Sequence, residues 1–293
     1  MNMYVAISTF AGVGGSSQGY KQAGIDVQLA VEFDKRRARQ YAQNHPQTHV
    51  VDRDITQVSV DELKAIVPYA DIIDGSPPCQ GFSTAGKRNL DDPRNRLFME
   101  FVRIIREYQP KAIIMENVKG LNTGASKKVF AEINEELRGA GYKIACRQLN
   151  AWWYGTPQNR TRLIWVGFRE DLGIEPSHPE PTHSKPVTVS EALPHDDIAW
   201  ISRDSHTGRY LTGLYLCTVD PATSPLCTVV KANPPFYVDS KGKLHKFDER
   251  QLRALAGFPP HYIIDVIGIG SAVPPPMSQA IGRHVMEQLD AAG

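Results

Sequence analysis

The residues equipped for chemistry gather around one cysteine. In Asp71-Ile72-Ile73-Asp74-Gly75-Ser76-Pro77-Pro78-Cys79-Gln80-Gly81-Phe82-Ser83 a strand-like segment ends in small residues and two prolines, then a thiol. Proline fixes φ, so the pair stiffens the backbone just before Cys79 and holds its sulfur in place. A fixed, partly exposed thiol near a helix start or basic residues ionises readily and serves as a nucleophile. A long polar segment follows, carrying Gln80, Ser83, Lys87, Arg88, Arg94 and Arg96. Four cations on one segment suit a lid that closes over a phosphate backbone. The plainer reading is a solvated loop balanced by Asp91 and Asp92. Cys146, Cys217 and Cys227 lie far apart without metal-ligand spacing, which predicts small buried hydrophobes and no metal.

A second constellation begins at Phe10-Ala11-Gly12-Val13-Gly14-Gly15, after the first strand-like run and before a helix. Glycines let the chain turn tightly and approach a ligand closely. Glu32 stands roughly 20 residues on, where a dinucleotide fold keeps the carboxylate that binds ribose hydroxyls. Asp54, after a possible third strand, is a candidate acceptor for an adenine amino group. The loop lacks the Lys-Ser/Thr of a phosphate-binding loop. A nucleoside without phosphates fits at least as well as a pyrophosphate.

These residues need a scaffold. Apolar runs at Tyr4–Phe10, Val27–Val31, Asp71–Asp74, Lys111–Met115 and Arg162–Gly167 predict strands. Segments at Ser16–Ala23, Lys35–Asn44, Leu97–Tyr108 and Lys127–Ala140 predict helices, the last closed by Gly141. Such alternation predicts an α/β fold, an open and largely parallel sheet with helices on both faces. Beyond Arg169 periodicity fails, and Glu175–Pro194 is rich in Pro, His, Ser and Thr. We place a boundary there: 1–170 with 268–293 as one domain, 171–267 as a smaller, irregular one. Short strands are expected over Trp200–Val238, with a capping box at Asp248-Glu249-Arg250-Gln251. A final helix is expected over Met277–Leu289, after a triple proline.

The chain has 293 residues and a net charge of +1, enough for a large core and no advertisement of nucleic-acid binding. No apolar run reaches the roughly 20 residues of a membrane span, and no leader precedes the first strand. An intracellular protein that does not engage membranes is expected.

Pro77-Pro78-Cys79-Gln80 resembles the nucleophile motif of the DNA cytosine-5 methyltransferases of bacterial or phage type. In the family's order, Phe10–Gly15 resembles its cofactor loop and Glu116-Asn117-Val118 its base-binding motif. Gln158-Asn159-Arg160-Thr161-Arg162 resembles its two-arginine motif. Gly257-Phe258-Pro259 and Gly270-Ser271-Ala272-Val273-Pro274-Pro275 resemble its closing motifs. The resemblance spans nearly the whole chain. It implies a Rossmann-like S-adenosylmethionine-dependent methyltransferase sheet with a small target-recognition domain, a cytoplasmic protein and action as a monomer on double-stranded DNA.

The resemblance also implies roles. Cys79 would add to carbon 6 of a flipped cytosine, turning the ring into an enamine that is nucleophilic at carbon 5. Glu116, at the end of the Lys111–Met115 strand, would supply a proton at N3 from a carboxyl with a raised pKa. Arg162, and with it Arg160, would hold the base O2 and a nearby phosphate. S-adenosylmethionine would lie on Phe10, Gly12, Gly14, Gly15, Glu32, Asp54 and Pro78, closed over by Ser271 and Val273. Gln80, Ser83, Lys87, Arg88, Arg94 and Arg96 would contact DNA. Ser271 replaces the family's usual Asn, and Lys246, Asp248 and Gln251 stand where it shows Arg, Thr and Glu. The rivals are a tRNA cytosine-5 methyltransferase on the same core, a thymidylate-synthase type enzyme, and a DNA-binding subunit on an inactive fold.

Overall fold

A computed structural model describes residues 3–78, 96–202, 218–229 and 235–292. Cys79, Gln80, Ser83, Lys87, Arg88 and Arg94 therefore lie outside the described residues. The chain divides into two compact units: 1–149, 161–180 and 279–293 in the larger, 150–160 and 181–278 in the smaller.

The larger unit is built from β1 (Val5–Thr9), α1 (Gly15–Ala23), β2 (Asp26–Val31), α2 (Lys35–Asn44), β3 (His49–Val51), α3 (Val60–Ile66), β4 (Ile72–Gly75), α4 (Phe98–Tyr108), β5 (Ala112–Val118), α5 (Lys127–Gly139), β6 (Tyr142–Asn150) and β7 (Thr161–Arg169). Its strands form one sheet in the order β3-β2-β1-β4-β5-β7-β6. From β3 to β5 every pairing is parallel, and β7 then runs antiparallel to β5. The reversal of order beside β1 leaves a crevice at the carboxyl ends of the strands, where open sheets bind ligands.

Local chemistry accounts for the elements. Phe98, Phe101, Val102 and Ile105 recur at helical spacing and are all buried, so α4 lays one apolar face on the sheet. Asp34 caps α2 through the Arg36 and Arg37 amides. The Ser59 hydroxyl accepts from the Glu62 amide while Glu62 accepts from the Ser59 amide, a capping box that starts α3. The core gathers around Ile7, Leu29, Ile73, Ile113, Met115 and Trp165 on the strands.

The smaller unit holds α6 (Val189–Ala192), an antiparallel sheet of β8 (Trp200–Ser202), β9 (Thr218–Val219), β10 (Phe236–Val238) and β11 (Leu244–Lys246) in the order β11-β10-β8-β9, then α7 (Glu249–Leu255) and α8 (Val266–Ser271). The Asp248–Gln251 capping box forms in both directions. After α7 the chain passes through Gly257 at φ 77°, where an added Cβ would lie 2.7 Å from Pro276. The Gly-Phe-Pro motif is thus a helix stop that needs both a left-handed backbone and no side chain. Helix α9 (Pro275–Asp290) starts inside the proline run rather than after it, since proline is at home at the first helical position. Its later turns belong to the larger unit, where Gly282 faces Tyr20 and Ile25 and Asp290 accepts from Tyr4.

Several boundaries differ from the sequence reading. Residues 150–160 and 268–278 group with the smaller unit and 171–180 with the larger; Asn159 donates to the Leu226 carbonyl, Leu226 to that of Pro157 and Arg160 to that of Gly270. Strand β5 continues past Met115 to Val118, since β7 pairs with it as far as Val118–Arg162.

Gly75 closes β4 against β1 and α4: an added Cβ would lie 2.5 Å from Thr9 Oγ1 and 2.7 Å from Phe101. Gly75→Ala is expected to destabilise the protein by about 2 kcal/mol through overpacking, read from the midpoint of denaturant unfolding.

Candidate functional site

The turn after β1 is held open by backbone geometry. Phe10 takes φ 53°, unusual for a bulky residue, and Gly12 and Gly14 take φ 59° and 86°. An added Cβ at Gly12 would meet nothing within 4 Å, so space lies over the turn. Gly14 is the N-cap of α1, with no side-chain cap and no acid in the first turn. No side chain of the N-cap therefore serves its first amides, at the positive end of the helix. Glu32, at the end of β2, accepts from the Gly12 amide (2.8 Å) and from the Asp34 amide (2.9 Å). Burial pushes its carboxyl up, against the pull of these two amides. A nucleoside cradle needs this set: a turn without side chains, uncapped amides and a carboxylate for hydroxyls.

Asp54 is exposed, and its Oδ1 accepts from the Thr56 amide and hydroxyl. It caps its own turn, whatever its other oxygen does. Pro78 is half-buried at the end of the described part of its loop. Arg96 is exposed just ahead of α4.

Glu116 and Arg162 meet. They sit diagonally on the antiparallel pair β5–β7, where Glu116 faces Ile164 and Arg162 faces Val118. That geometry puts both on one face of the sheet. Arg162 Nε lies 2.7 Å from Glu116 Oε1, and its NH1 donates to the Thr161 carbonyl. Burial works against the arginine's charge and Glu116 opposes that effect. The sequence reading had Glu116 as a strand-end carboxyl; it is instead an interior residue of β5 with an ionic partner.

Arg160 has a different fate. It is 1% exposed in the smaller unit and donates to the carbonyls of Val229 (3.4 Å) and Gly270 (3.2 Å). A guanidinium so enclosed ties three chain segments together through these carbonyls. Ser271 ends α8, and its hydroxyl donates back to the Ile267 and Gly268 carbonyls of its own helix. Val273 is buried in the same unit. Among the described residues no group of three or more His, Cys, Asp or Glu is placed to hold a metal ion, and no helix is long and apolar enough to cross a membrane.

A family model described as C-5 cytosine-specific DNA methylase matches residues 4–213. The chain belongs to this family. The methylase is 33% identical to the type II methyltransferase M1.HphI of Haemophilus parahaemolyticus, over 96% of this chain and 86% of that one. It is 29% identical to M.FnuDI of Fusobacterium nucleatum, over 97% and 94%. Among solved structures, a DNA modification methyltransferase encoded within an E. coli prophage superposes with a TM-score of 0.80 at 25% identity, over 98% and 99% of the two chains. The Dnmt2 methyltransferase of S. pombe shares the fold, at a TM-score of 0.73 and 16% identity, over 99% and 100%. Methylation of carbon 5 of cytosine in DNA is the family's reaction, and its use of S-adenosylmethionine follows from family and fold.

Two residues of the methylase join the site that sequence reasoning did not single out. Asn117 is buried beside Glu116, and its Nδ2 donates to the Pro77 carbonyl at 3.1 Å. It links β5 to the loop that leads to Cys79. Its sign in the sequence was only its place in the Glu-Asn-Val motif. Phe33, directly after Glu32, is 67% exposed. A large aromatic left in water beside a candidate ribose carboxylate offers a face for a purine.

Loss of the Asn117–Pro77 bond would loosen the segment that leads to Cys79 without touching the glycine turn. Asn117→Ala is expected to lower kcat by about 10- to 100-fold, as misplacement of a reacting group does. The Kd for S-adenosylhomocysteine, measured by calorimetry, is expected to stay within about twofold.

Proposed function

We propose that Cys79 is the nucleophile of this methylase, that Glu116 and Arg162 hold the target cytosine, and that the turn at Phe10–Gly15 with Glu32 holds S-adenosylmethionine. The observation that carries the reading is the Glu116–Arg162 ion pair at 2.7 Å, one residue from the Asn117 contact to the loop of Cys79.

The Gly12 turn and the uncapped amides of α1 would receive the cofactor's amino acid end, Glu32 its ribose hydroxyls, and Phe33 and Pro78 the adenine and its surroundings. Asp54 would offer its remaining oxygen to the adenine amino group. When bound, S-adenosylmethionine supplies an electrophilic methyl group. The Cys79 thiolate adds to carbon 6 of a cytosine drawn out of the duplex, at a cost of a few kcal/mol. Glu116 holds a proton at N3 while charge builds on the ring, and Arg162 donates to O2 and keeps Glu116 in place. Once carbon 5 is methylated, its proton leaves to a base, and the Cys79 sulfur departs with re-formation of the C5–C6 double bond. Ser271 and Val273 would close the cofactor site. Gln80, Ser83, Lys87, Arg88, Arg94 and Arg96 would meet the DNA, and residues of the smaller unit would read the target. The protein would act as a monomer in the cytoplasm. Family and relatives carry the DNA reading rather than the tRNA one.

Cys79→Ala is expected to abolish methyl transfer, by roughly a thousandfold or more, with S-adenosylhomocysteine binding retained. A duplex bearing 5-fluorocytosine at the target should trap a gel-stable adduct with the wild type and none with the variant. Bisulfite sequencing of DNA from cells expressing the protein gives the target site. Full turnover by the alanine variant would remove the covalent route.

A further inference from the structure

Among the described residues, two buried acids lie outside the mechanism above, Asp71, which pairs with Lys111, and Asp74. Asp74, on β4, is 3% exposed, and its two ends grip the two ends of the glycine turn. Its carbonyl accepts from Thr9 Oγ1 at 2.9 Å, where β1 runs into the turn. Its Oδ2 accepts from Ser16 Oγ at 3.1 Å, where the turn runs into α1. The Ser8 hydroxyl faces the same carboxyl without completing a bond of good geometry. Around it the underside of the turn is polar: Tyr41 donates to Ser17 Oγ, and His45 Nε2 lies 3.3 Å from the Gly14 carbonyl. The same strand leads on to Cys79.

A carboxyl is an odd choice for this place. No described cation pairs with it, and an amide would accept the same hydroxyl bond. What a carboxyl adds is a charge that can be turned on. The turn it grips needs one: α1 presents its positive end there with no acid in its first turn, while the family's cofactor is itself a sulfonium cation.

Resting on the functional reading above, we infer that Asp74 is a positioning residue that couples cofactor binding to proton release: its carboxyl is protonated while the turn is empty and ionises, the proton passing to solvent, when the sulfonium cation enters. Burial supports this by pushing the free carboxyl up to about 7, with Ser8 and Ser16 opposing. The titratable groups that face Asp74 are Tyr20 from α1 and Tyr41 from α2, both pushed up by burial and neutral throughout the window. His45, pushed down to about 4, also stays neutral over most of it. The sign follows. A cation favours the charged carboxyl, so binding lowers its pKa and releases a proton. Affinity therefore rises with pH below about 7 and levels off above it.

The test is calorimetry on the full chain, with S-adenosylmethionine and S-adenosylhomocysteine as probes, from pH 5 to 8 in buffers of different ionisation enthalpy. The two ligands differ by the sulfonium charge and share the ribose, so any contribution of Glu32 is common to both. Affinity for S-adenosylmethionine should rise about fourfold between pH 5.5 and 7, toward the roughly tenfold limit that one unit of pKa displacement carries. Net proton release should accompany it. The thioether should show a flatter profile, and Asp74→Asn should flatten the sulfonium's profile to match. Equal profiles for the two ligands on the wild type would overturn the inference even if the variant failed to fold. So would an undiminished slope in a folded Asp74→Asn protein. Failure of both ligands to bind at any pH would instead overturn the cofactor reading on which it rests.

Discussion

Parallel pairing of β1 with β4 sets the geometry on which every other feature of the site depends. Ser8 lies beside Asp74 and Thr9 beside Gly75, so the glycine turn and the segment that leads to Cys79 leave the sheet from adjacent strands at the same level. The next strand is β5, which carries Glu116 and Asn117, and the one after is β7, which carries Arg162. Four neighbouring strands thus carry, in order, the glycine turn, the residues that lead toward Cys79, the acid and the arginine. The register is enforced sterically: Gly75 leaves no room for a methyl group between Thr9 and Phe101. Parallel strands buried on both faces seldom slip, since a one-residue shift would turn their side chains to the wrong layer.

The carboxyl ends of the strands collect three buried or half-buried carboxyls, each handled differently. Glu32 is satisfied by two backbone amides, Glu116 by a guanidinium and Asp74 by hydroxyls. Amides and guanidinium bring positive charge toward the carboxyl, whereas hydroxyls bring only a dipole. The acid with hydroxyl partners is accordingly the one that burial carries up to about 7. The same physical rule that makes an unpaired buried charge costly sorts the three into an amide-bound carboxyl, an ion-paired one and one tied only by hydroxyls.

Much of this was legible in the residues. Apolar runs and spacing announced β1, α1, α2 and α4, whose limits fall within a residue or two of the expected ones. Helix α3 was missed although Ser59 and Glu62 spell its capping box. Strand β6 was missed because its burial does not alternate. Helix α8, with the sequence Val-Ile-Gly-Ile-Gly-Ser, has little helix propensity and exists through the Asp265 cap on the Gly268 amide and its surroundings. The candidate site was legible as motifs, but the partners of its residues were not. Nothing in the spacing of Asn117 and Pro77 says that they bond. Asp74 read as an ordinary strand residue, because its significance lies in Thr9 and Ser16, which are close only once β4 inserts beside β1.

The two arginines show why motif membership does not assign a role. Arg160 and Arg162 are two apart, and in an extended strand such residues point to the same side. The strand, however, begins at Thr161. Arg162 is inside the ladder, and register carries it to Glu116. Arg160 precedes the ladder, where its own carbonyl accepts from Ala151 and its amide donates to Asn150, and these bonds turn its side chain into the smaller unit. There it serves carbonyls that a shorter residue would leave unmet. Replacing it would therefore act on the integrity of that unit, while replacing Arg162 would act on Glu116. The motif is a single string of letters that the start of one β-ladder divides into a residue bonded to carbonyls of the smaller unit and one paired with Glu116.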